Sequence, residues 1–163
     1  MFNRLLYIRS SVIVSGSKAL RYRQAYPADL KEIQELLESY ELPSGDCSEH
    51  LSNFVIAENG NGVVGVGGFE TCGRFGLLRS FAVKNGFKGQ SVASEIFSLA
   101  KARAIDLGIH RFYLLTTTAR GFFERFGFSM CDREDVPGIV KKTKQFDELC
   151  PTTATVMVLS LAA

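Results

Sequence analysis

Apolar residues recur along this chain at two spacings, one typical of strands and one typical of helices. Alternation over residues 20–25 predicts a first strand, and Pro27 then opens a helix whose apolar stripe ends at Tyr40. Five more strands and a strand start are predicted: 54–58, 63–69, 77–83, 112–116, a strand from Phe128, and 155–161. Further helices are predicted at 48–51, 91–107 and 119–126, with a short one after Pro137.

This order predicts an α/β fold, in the sense of an α+β mixed sheet of about seven strands with helices on both faces. Asn59-Gly60-Asn61-Gly62 is a hairpin signal, and helix 91–107 predicts a parallel crossover between two strands. Residues 20–163 therefore form one predicted domain. Residues 1–19 are basic and lack acids, so an organelle-targeting segment and a plain N-terminal extension both fit them.

Composition narrows the possible partners. The net charge of +2 is too small to favour nucleic acid, and no apolar run approaches the length of a membrane span. The four cysteines form no C-x-x-C pair, which argues against a metal site and favours reduced thiols in the cytoplasm. We therefore expect a cytoplasmic protein with a small-molecule partner, no metal, no nucleic acid and no membrane.

Residues 81–93 organise the rest of the chain. A predicted buried strand ends there in a loop with two glycines, and the loop opens directly onto helix 91–107. Free backbone N–H groups and the positive end of a helix dipole then converge on one spot. Lys88 adds a cation at the rim, so this segment predicts a site for a phosphate-bearing ligand.

Two motifs resemble the GNAT superfamily of acyl-CoA-dependent N-acetyltransferases. Lys88-Gly89-Gln90-Ser91-Val92-Ala93 is similar to its Arg/Gln-x-x-Gly-x-Gly/Ala signature, with Lys88 and Ser91 as departures. Ala119-x-x-x-Phe123-x-x-x-Gly127-Phe128 is similar to its second recurring block. A narrower resemblance is to the arsenic-resistance-associated (arsinothricin-type) N-acetyltransferases, carried by residues 77–80, 114–119 and 149–151 and by Leu42, Pro43, His50, Arg133, Val136 and Pro137.

The resemblance implies an acetyl-CoA site in the central loop, with acetyl-CoA as a co-substrate. Ser91 fits the position of a family glycine if its φ angle stays negative. A serine hydroxyl there would also donate to phosphate or cap the helix. The implied cofactor-binding residues are Phe81, Ala82, Val83, Lys88, Gly89, Gln90, Ser91, Val92, Ala93 and Phe123.

Glu70 and Arg79 are the predicted catalytic and substrate-binding residues. Glu70 is the candidate general base, and a solvated carboxylate at a strand end is the alternative. A hairpin turn near Gly73 sets Glu70 opposite Leu77 and diagonal to Arg79. Arg79 then either forms a structural ion pair with Glu70 or binds an acidic group of the substrate through a bidentate fork.

Three further residues are predicted to line the acceptor site. Thr116 and Thr117 end a parallel strand, where ligands gather in open sheets, although hydroxyls there also cap helices. Arg133 would contact an acidic substrate or remain a surface charge. Phe123 stands where many family members have a proton-donating Tyr, so the general acid is left unassigned.

The sequence therefore predicts an enzyme, an acetyl-CoA-dependent N-acetyltransferase, acting on the primary amine of a small, amino-acid-like substrate. An arsenical or phosphinate amino acid is the narrower hypothesis. The alternatives are transfer to a protein, a peptide or a polyamine on the same fold, and a non-catalytic CoA-binding regulatory module. The expected assembly is a monomer or a homodimer.

Overall fold

A computed structural model describes residues 11–15, 18–89 and 91–161. Within these ranges eight strands form a single sheet in the order β1-β2-β3-β4-β5-β6-β8-β7. The strands are β1 Ser11–Ser15, β2 Lys18–Gln24, β3 Phe54–Asn59, β4 Gly62–Cys72, β5 Phe75–Val83, β6 Arg111–Thr116, β7 Ser129–Met130 and β8 Thr155–Ser160. The helices are α1 Leu30–Glu38, α2 Val92–Asp106, α3 Arg120–Glu124 and α4 Gly138–Lys141. Short 3-10 turns occur at Pro27–Asp29, Cys47–Glu49, Leu51–Asn53, Asn85–Phe87 and Arg133–Asp135, and a π turn at Gln145–Leu149.

The predicted mixed sheet is confirmed, and it contains one strand more than expected. β1 lies inside the segment 1–19 and pairs antiparallel with β2. A targeting role for that segment stays a prediction. The short helix expected at 48–51 is instead a pair of 3-10 turns, and the helix expected over 119–126 is limited to α3.

Helices cover both faces of the sheet, as predicted. α1 packs on β4 and β5 around Ile33 and Leu37, and α4 adds Val140 to the same face. α2 packs on the opposite face, and Phe123 of α3 joins that core. None of the helices in the described ranges is long and apolar enough to cross a bilayer.

The sheet opens between β5 and β6. In the described ranges these parallel strands pair only where Phe75–Leu77 faces Arg111–Tyr113, and beyond Leu77 they separate. On its other edge, β5 carries a bulge in which Ser80 and Phe81 lie opposite Gly67, and the φ angle of Ser80 is +61°. A side chain at Gly67 would sit 2.7 Å from the Phe81 ring, so the bulge requires glycine there.

Candidate active site

A cleft of about 850 Å³ lies at the opening between β5 and β6. We call one end the loop end, formed by residues 81–83, 87–89 and 91–94 with α3 beside them. The other, the Arg79 end, lies towards the face that α1 and α4 cover, and is lined by Leu42, Pro43, Arg79, Ser80, Gln145 and Cys150. The cleft thus reaches both faces of the sheet, which allows two molecules to meet inside it.

The loop end presents unpaired backbone N–H groups. Gly89 has a φ angle of +77°, which turns the chain out of β5 and into α2. The N–H of Glu95 makes the first helical hydrogen bond, to the Ser91 carbonyl. By helix geometry the amides of residues 92–94 have no intrahelical acceptor, and the helix dipole adds positive potential there. This end of the cleft is therefore built for an anion.

Ser91 differs from the sequence prediction. Its φ angle is +60° and its ψ angle is 16°, so the residue lies in the left-handed region rather than at negative φ. Within the described residues its hydroxyl makes no capping hydrogen bond, although Ser91 is the N-cap of α2. A left-handed conformation costs a residue with a side chain about 1–2 kcal/mol, which a glycine would not pay.

Tyr40, which lies just after α1, contacts the loop end. Its hydroxyl donates to the Val83 carbonyl at 2.8 Å and lies 3.0 Å from Asn85 Oδ1. The Lys88 ammonium lies 4.4 Å from the centre of the Tyr40 ring, a cation–π contact that holds the charge at the cleft rim. The Val83 carbonyl, predicted to contact the ligand arm, therefore already accepts a hydrogen bond.

Nine of the ten residues predicted to bind the cofactor line this one cleft. Gln90 lies outside the described residues. Phe123 packs edge-on against Phe81 with 6.1 Å between ring centres, which closes the cleft with an apolar wall. The lining residues are Phe81, Ala82, Val83, Lys88, Gly89, Ser91, Val92, Ala93 and Phe123.

Arg79 is the centre of a buried ion network. Its side chain is 0% exposed, and its guanidinium donates through both terminal nitrogens to the two carboxylate oxygens of Asp46. One of these nitrogens, Nη1, also donates to Glu70 Oε2 at 3.1 Å, and Nε donates to Ser80 Oγ at 3.2 Å. Every N–H-bearing nitrogen of the fork therefore has a protein partner.

This network corrects the role proposed for Arg79. The bidentate fork predicted to hold an acidic substrate group is taken by Asp46, so a substrate carboxylate would have to displace a buried carboxylate. The structural alternative, a Glu70–Arg79 ion pair, is present. Burial raises the pKa of Asp46, but the hydrogen bonds and the positive charge of Arg79, with smaller contributions from other neighbours, together outweigh burial and leave that pKa below its usual value. Burial lowers the pKa of the Arg79 guanidinium, but the hydrogen bonds and the charge of Asp46, together with smaller contributions, outweigh it and leave that pKa above its usual value.

Glu70 has the predicted register but a different setting. It lies opposite Leu77, as expected. Its carboxylate lines a second cavity of about 310 Å³, together with Asp46 and His50, rather than the cleft itself. His50 Nε2 lies 3.6 Å from Glu70 Oε2 and 3.9 Å from Asp46 Oδ2. A general base at Glu70 would thus act from beside the cleft.

Sequence reasoning missed Asp46 and named His50 only as part of the narrower family resemblance. Both come from the loop and 3-10 turn after α1, and Asp46 is 33 residues away from Arg79 in the chain. One carboxylate or imidazole atom each from Asp46, His50 and Glu70 lies within 4.8 Å of the others. Because Arg79 already bonds both carboxylates, a metal cation there would have to displace a guanidinium. The buried Arg79 was the signal that a partner acid must exist.

The remaining predicted residues divide between the cleft and the scaffold. Thr116 and Thr117 line the cleft, and Thr116 Oγ1 accepts the Ala119 N–H at 2.9 Å, which holds the turn that leads into α3. Arg133 lies outside the cleft lining. Its guanidinium donates to the carbonyls of Pro151 and Ala154 at 3.1 and 3.2 Å, which fastens the long connection after β7. A direct substrate contact from Arg133 is therefore not supported.

Cys150 lines the Arg79 end of the cleft. Gln145 Nε2 donates to its sulfur at 3.3 Å. Burial raises the pKa of the Cys150 thiol, and the charges of Arg79 and Arg133 only partly oppose that rise. The thiol is accordingly protonated at neutral pH and a poor nucleophile.

Residues 50–130, about half of the chain, match a family model described as an acetyltransferase (GNAT) domain. The chain carries a GNAT acetyltransferase domain. This match and the architecture confirm the predicted fold and the predicted acetyltransferase class. The narrower resemblance to arsenic-resistance-associated enzymes is not confirmed by it.

Solved structures of similar fold carry coenzyme A. Rv2747 from Mycobacterium tuberculosis, in complex with CoA and NLQ, is 23% identical, with a TM-score of 0.73 over 86% of this GNAT chain and 99% of that one. N-acetylglutamate synthase from Neisseria gonorrhoeae, with coenzyme A and N-acetyl-glutamate, is 21% identical, with a TM-score of 0.76 over 88% of this chain. This chain spans 35% of that synthase.

A second structure of the Neisseria gonorrhoeae synthase contains coenzyme A and L-arginine, at 19% identity and a TM-score of 0.74, over 88% of this chain and 34% of that one. At these identities the likeness shows a shared fold. No curated protein sequence gives a significant match.

Proposed function

We propose that this protein transfers the acetyl group of acetyl-CoA directly to the primary amine of a small, amino-acid-like acceptor. One observation carries the proposal. A single cleft joins an amide-lined loop end to a polar Arg79 end, through the opening between β5 and β6. Both substrates can then be held together, and a positioned pair needs no covalent enzyme intermediate.

In this proposal acetyl-CoA occupies the loop end. Its pyrophosphate accepts hydrogen bonds from the amides of residues 89–93, and Lys88 adds a cation at the rim. The pantetheine arm of acetyl-CoA runs along the edge of β5 that is unpaired beyond Leu77, beside Phe81. The Phe123 ring packs on Phe81 and excludes water from that side of the cleft. The thioester then lies near the bulge at Ser80, where the two ends of the cleft meet.

The chemical step needs little from the side chains. The neutral amine attacks the thioester carbonyl carbon, a C–N bond forms, and the C–S bond breaks as CoA leaves as a thiolate. A thiol with a pKa near ~8.5 leaves readily, so Phe123 in place of a proton-donating Tyr does not block the reaction. The proton lost by the amine passes to solvent or to a carboxylate.

Glu70 is the carboxylate we propose to take that proton, through a water molecule. It lies beside the cleft rather than in it, and His50 Nε2 is 3.6 Å away and able to pass the proton onward. An α-amine with a pKa near ~8 is about one-tenth neutral at pH 7, so modest help is enough.

The charges at the Arg79 end favour a cationic acceptor before deprotonation. Arg79 contributes one positive charge, and Asp46 and Glu70 contribute two negative charges, which leaves one net negative charge. This balance suits an ammonium group. The glutamate-type and arginine ligands of the Neisseria gonorrhoeae synthase support an amino-acid-like acceptor. The arsenical or phosphinate amino acid rests on the sequence resemblance alone.

Thiol release from acetyl-CoA, measured with a panel of amines, tests the proposal. The panel contains α-amino acids, a phosphinate amino acid, spermidine and short peptides. We expect release with at least one small α-amino acid and little with spermidine, whose more basic amines are rarely neutral at pH 7, or with peptides. Acetyl-CoA binding without release for every amine would contradict the proposal and favour a CoA-binding regulatory module. Cytoplasmic location and a monomeric or homodimeric state stay proposals beside it.

A further inference from the structure

We propose that the side-chain carbonyl of Gln145 recognises the acceptor amine by accepting one of its N–H hydrogens. This inference rests on the proposed function, because it assumes that an amine enters the Arg79 end of the cleft. It assigns an acceptor-positioning role to a residue that the sequence patterns did not single out.

The first support is an unpaired buried oxygen. Gln145 is only 7% exposed and lines the cleft. Among the described residues, its Oε1 is the buried side-chain oxygen without a hydrogen-bond partner. An unpaired buried polar atom destabilises the folded state, so a folded protein rarely keeps one without a use. A ligand that brings a donor would remove this cost.

The second support is the way the amide is held. Gln145 begins the π turn after α4, and its Nε2 donates to Cys150 Sγ at 3.3 Å. The backbone closes the same turn, since the Cys150 N–H donates to the Gln145 carbonyl at 3.1 Å. Arg133 stacks on Phe146 at 5.1 Å and bonds the chain beyond Cys150. The amide is thus anchored at its nitrogen, and its oxygen is left unpaired.

The third support is that several neighbouring hydrogen-bond acceptors already have partners within the protein. Asp46 and Glu70 occupy the Arg79 guanidinium, and Thr116 Oγ1 already accepts the Ala119 N–H. Leu42 and Pro43 are apolar. An amine at this end therefore meets the Gln145 carbonyl as an oxygen ready to accept a hydrogen bond.

This contact also suits the reaction. A neutral primary amine has two N–H hydrogens and one lone pair. Donating one hydrogen to Gln145 orients the lone pair towards the thioester and leaves the other hydrogen free. As the C–N bond forms, the nitrogen becomes positive and its hydrogen bond to the carbonyl strengthens, which lowers the barrier.

Gln145→Met tests the inference, because methionine keeps the side-chain length and removes both the carbonyl and the NH₂ of the side-chain amide. L-glutamate, L-arginine and spermidine are titrated by calorimetry into the protein saturated with CoA, where no turnover occurs. We expect the tightest-binding probe to lose roughly tenfold to a hundredfold in affinity, with CoA affinity unchanged. Gln24→Met, the same substitution on β2, should leave both affinities at the wild-type level.

Unfolding experiments separate recognition from a structural role. Gln145→Met removes an unpaired buried oxygen but also the hydrogen bond from Nε2 to the Cys150 sulfur, so its free energy of unfolding should stay close to that of wild type. Cys150→Ala removes the partner of Nε2 but keeps the carbonyl, so its effect on probe affinity should be smaller. A clear loss of stability in Gln145→Met with unchanged probe affinity would assign Gln145 a structural role and overturn the inference.

The remaining outcomes are also decisive. Unchanged probe affinity in Gln145→Met, a loss of CoA affinity of equal size, or no probe binding to wild type would each overturn the inference. Thiol release distinguishes this failure from failure of the proposed function. Probe binding that depends on Gln145 without any release would keep the recognition role and contradict acetyl transfer. Release with an acceptor KM unchanged in Gln145→Met would support acetyl transfer and overturn the recognition role of Gln145.

Discussion

The two ends of the cleft are built from different parts of the chain. The loop end uses mainly the backbone of residues that lie close together in the chain, 81–83, 87–89 and 91–94, and the first amides of α2 there have no intrahelical acceptor. The Arg79 end uses side chains from distant segments, and Arg79 is fully engaged by Asp46, Glu70 and Ser80. The loop end is therefore tolerant of side-chain changes, whereas the Arg79 end depends on each partner.

Arg79→Ala should have the largest effect, because it leaves two buried carboxylates without their cation. We expect the free energy of unfolding to fall by roughly 3–5 kcal/mol, measured by denaturant titration. In the protein that remains folded, acceptor binding should weaken and acetyl-CoA affinity should stay near the wild-type value.

Arg23 provides a matched control for that substitution. It also holds two acids, Asp29 and Glu58, but its side chain is 13% exposed and the Glu58 side chain 23%. Arg23→Ala should therefore cost less, about 1–3 kcal/mol. Equal losses in the two variants would show that the Arg79 network is an ordinary ion cluster and would contradict the contrast between the two ends.

Ser91→Asp should disrupt the loop end without unfolding the protein. It places a negative charge among the amides proposed to bind pyrophosphate, so repulsion and lost hydrogen bonds act together. We expect acetyl-CoA affinity, measured by calorimetry, to fall roughly tenfold to a hundredfold. Ser98→Asp, on an exposed position further along α2, is the control. Wild-type CoA affinity in Ser91→Asp would refute the pyrophosphate placement.

Ser91→Gly should have the smallest effect, and in the opposite direction. Glycine adopts the observed φ of +60° without the penalty that serine pays, so stability should rise by about 1 kcal/mol. Ser94→Gly, in the first turn of the same helix, should instead lower stability by about 0.5–1 kcal/mol. A fall in melting temperature for Ser91→Gly would mean that the serine side chain stabilises this conformation.

The same contrast explains what could be predicted from the sequence. The loop end is local, so the strand, the glycine-containing loop and the helix that follow one another in residues 81–93 were enough to predict an anion site. The hairpin register that sets Glu70 opposite Leu77 was likewise local and is confirmed. The fold followed because hydrophobic spacing and turn residues agreed along most of the chain.

The Arg79 end could not be predicted in the same way. Asp46, Gln145 and Cys150 come from irregular connections, whose path depends on the whole fold rather than on spacing. A buried arginine indicated that an acid must be near, but not which one. The positive φ of Ser91 was missed for a related reason, since its conformation is imposed by the loop and not by serine's own preference.

Initial-rate kinetics with acetyl-CoA and an active amine test the central claim most directly, that one cleft holds both substrates at once. Direct transfer predicts double-reciprocal lines that intersect, because both substrates must be bound before the C–N bond forms. Parallel lines would indicate an acetylated enzyme, with Cys150 as the cleft nucleophile to examine by mass spectrometry. That result would contradict the account.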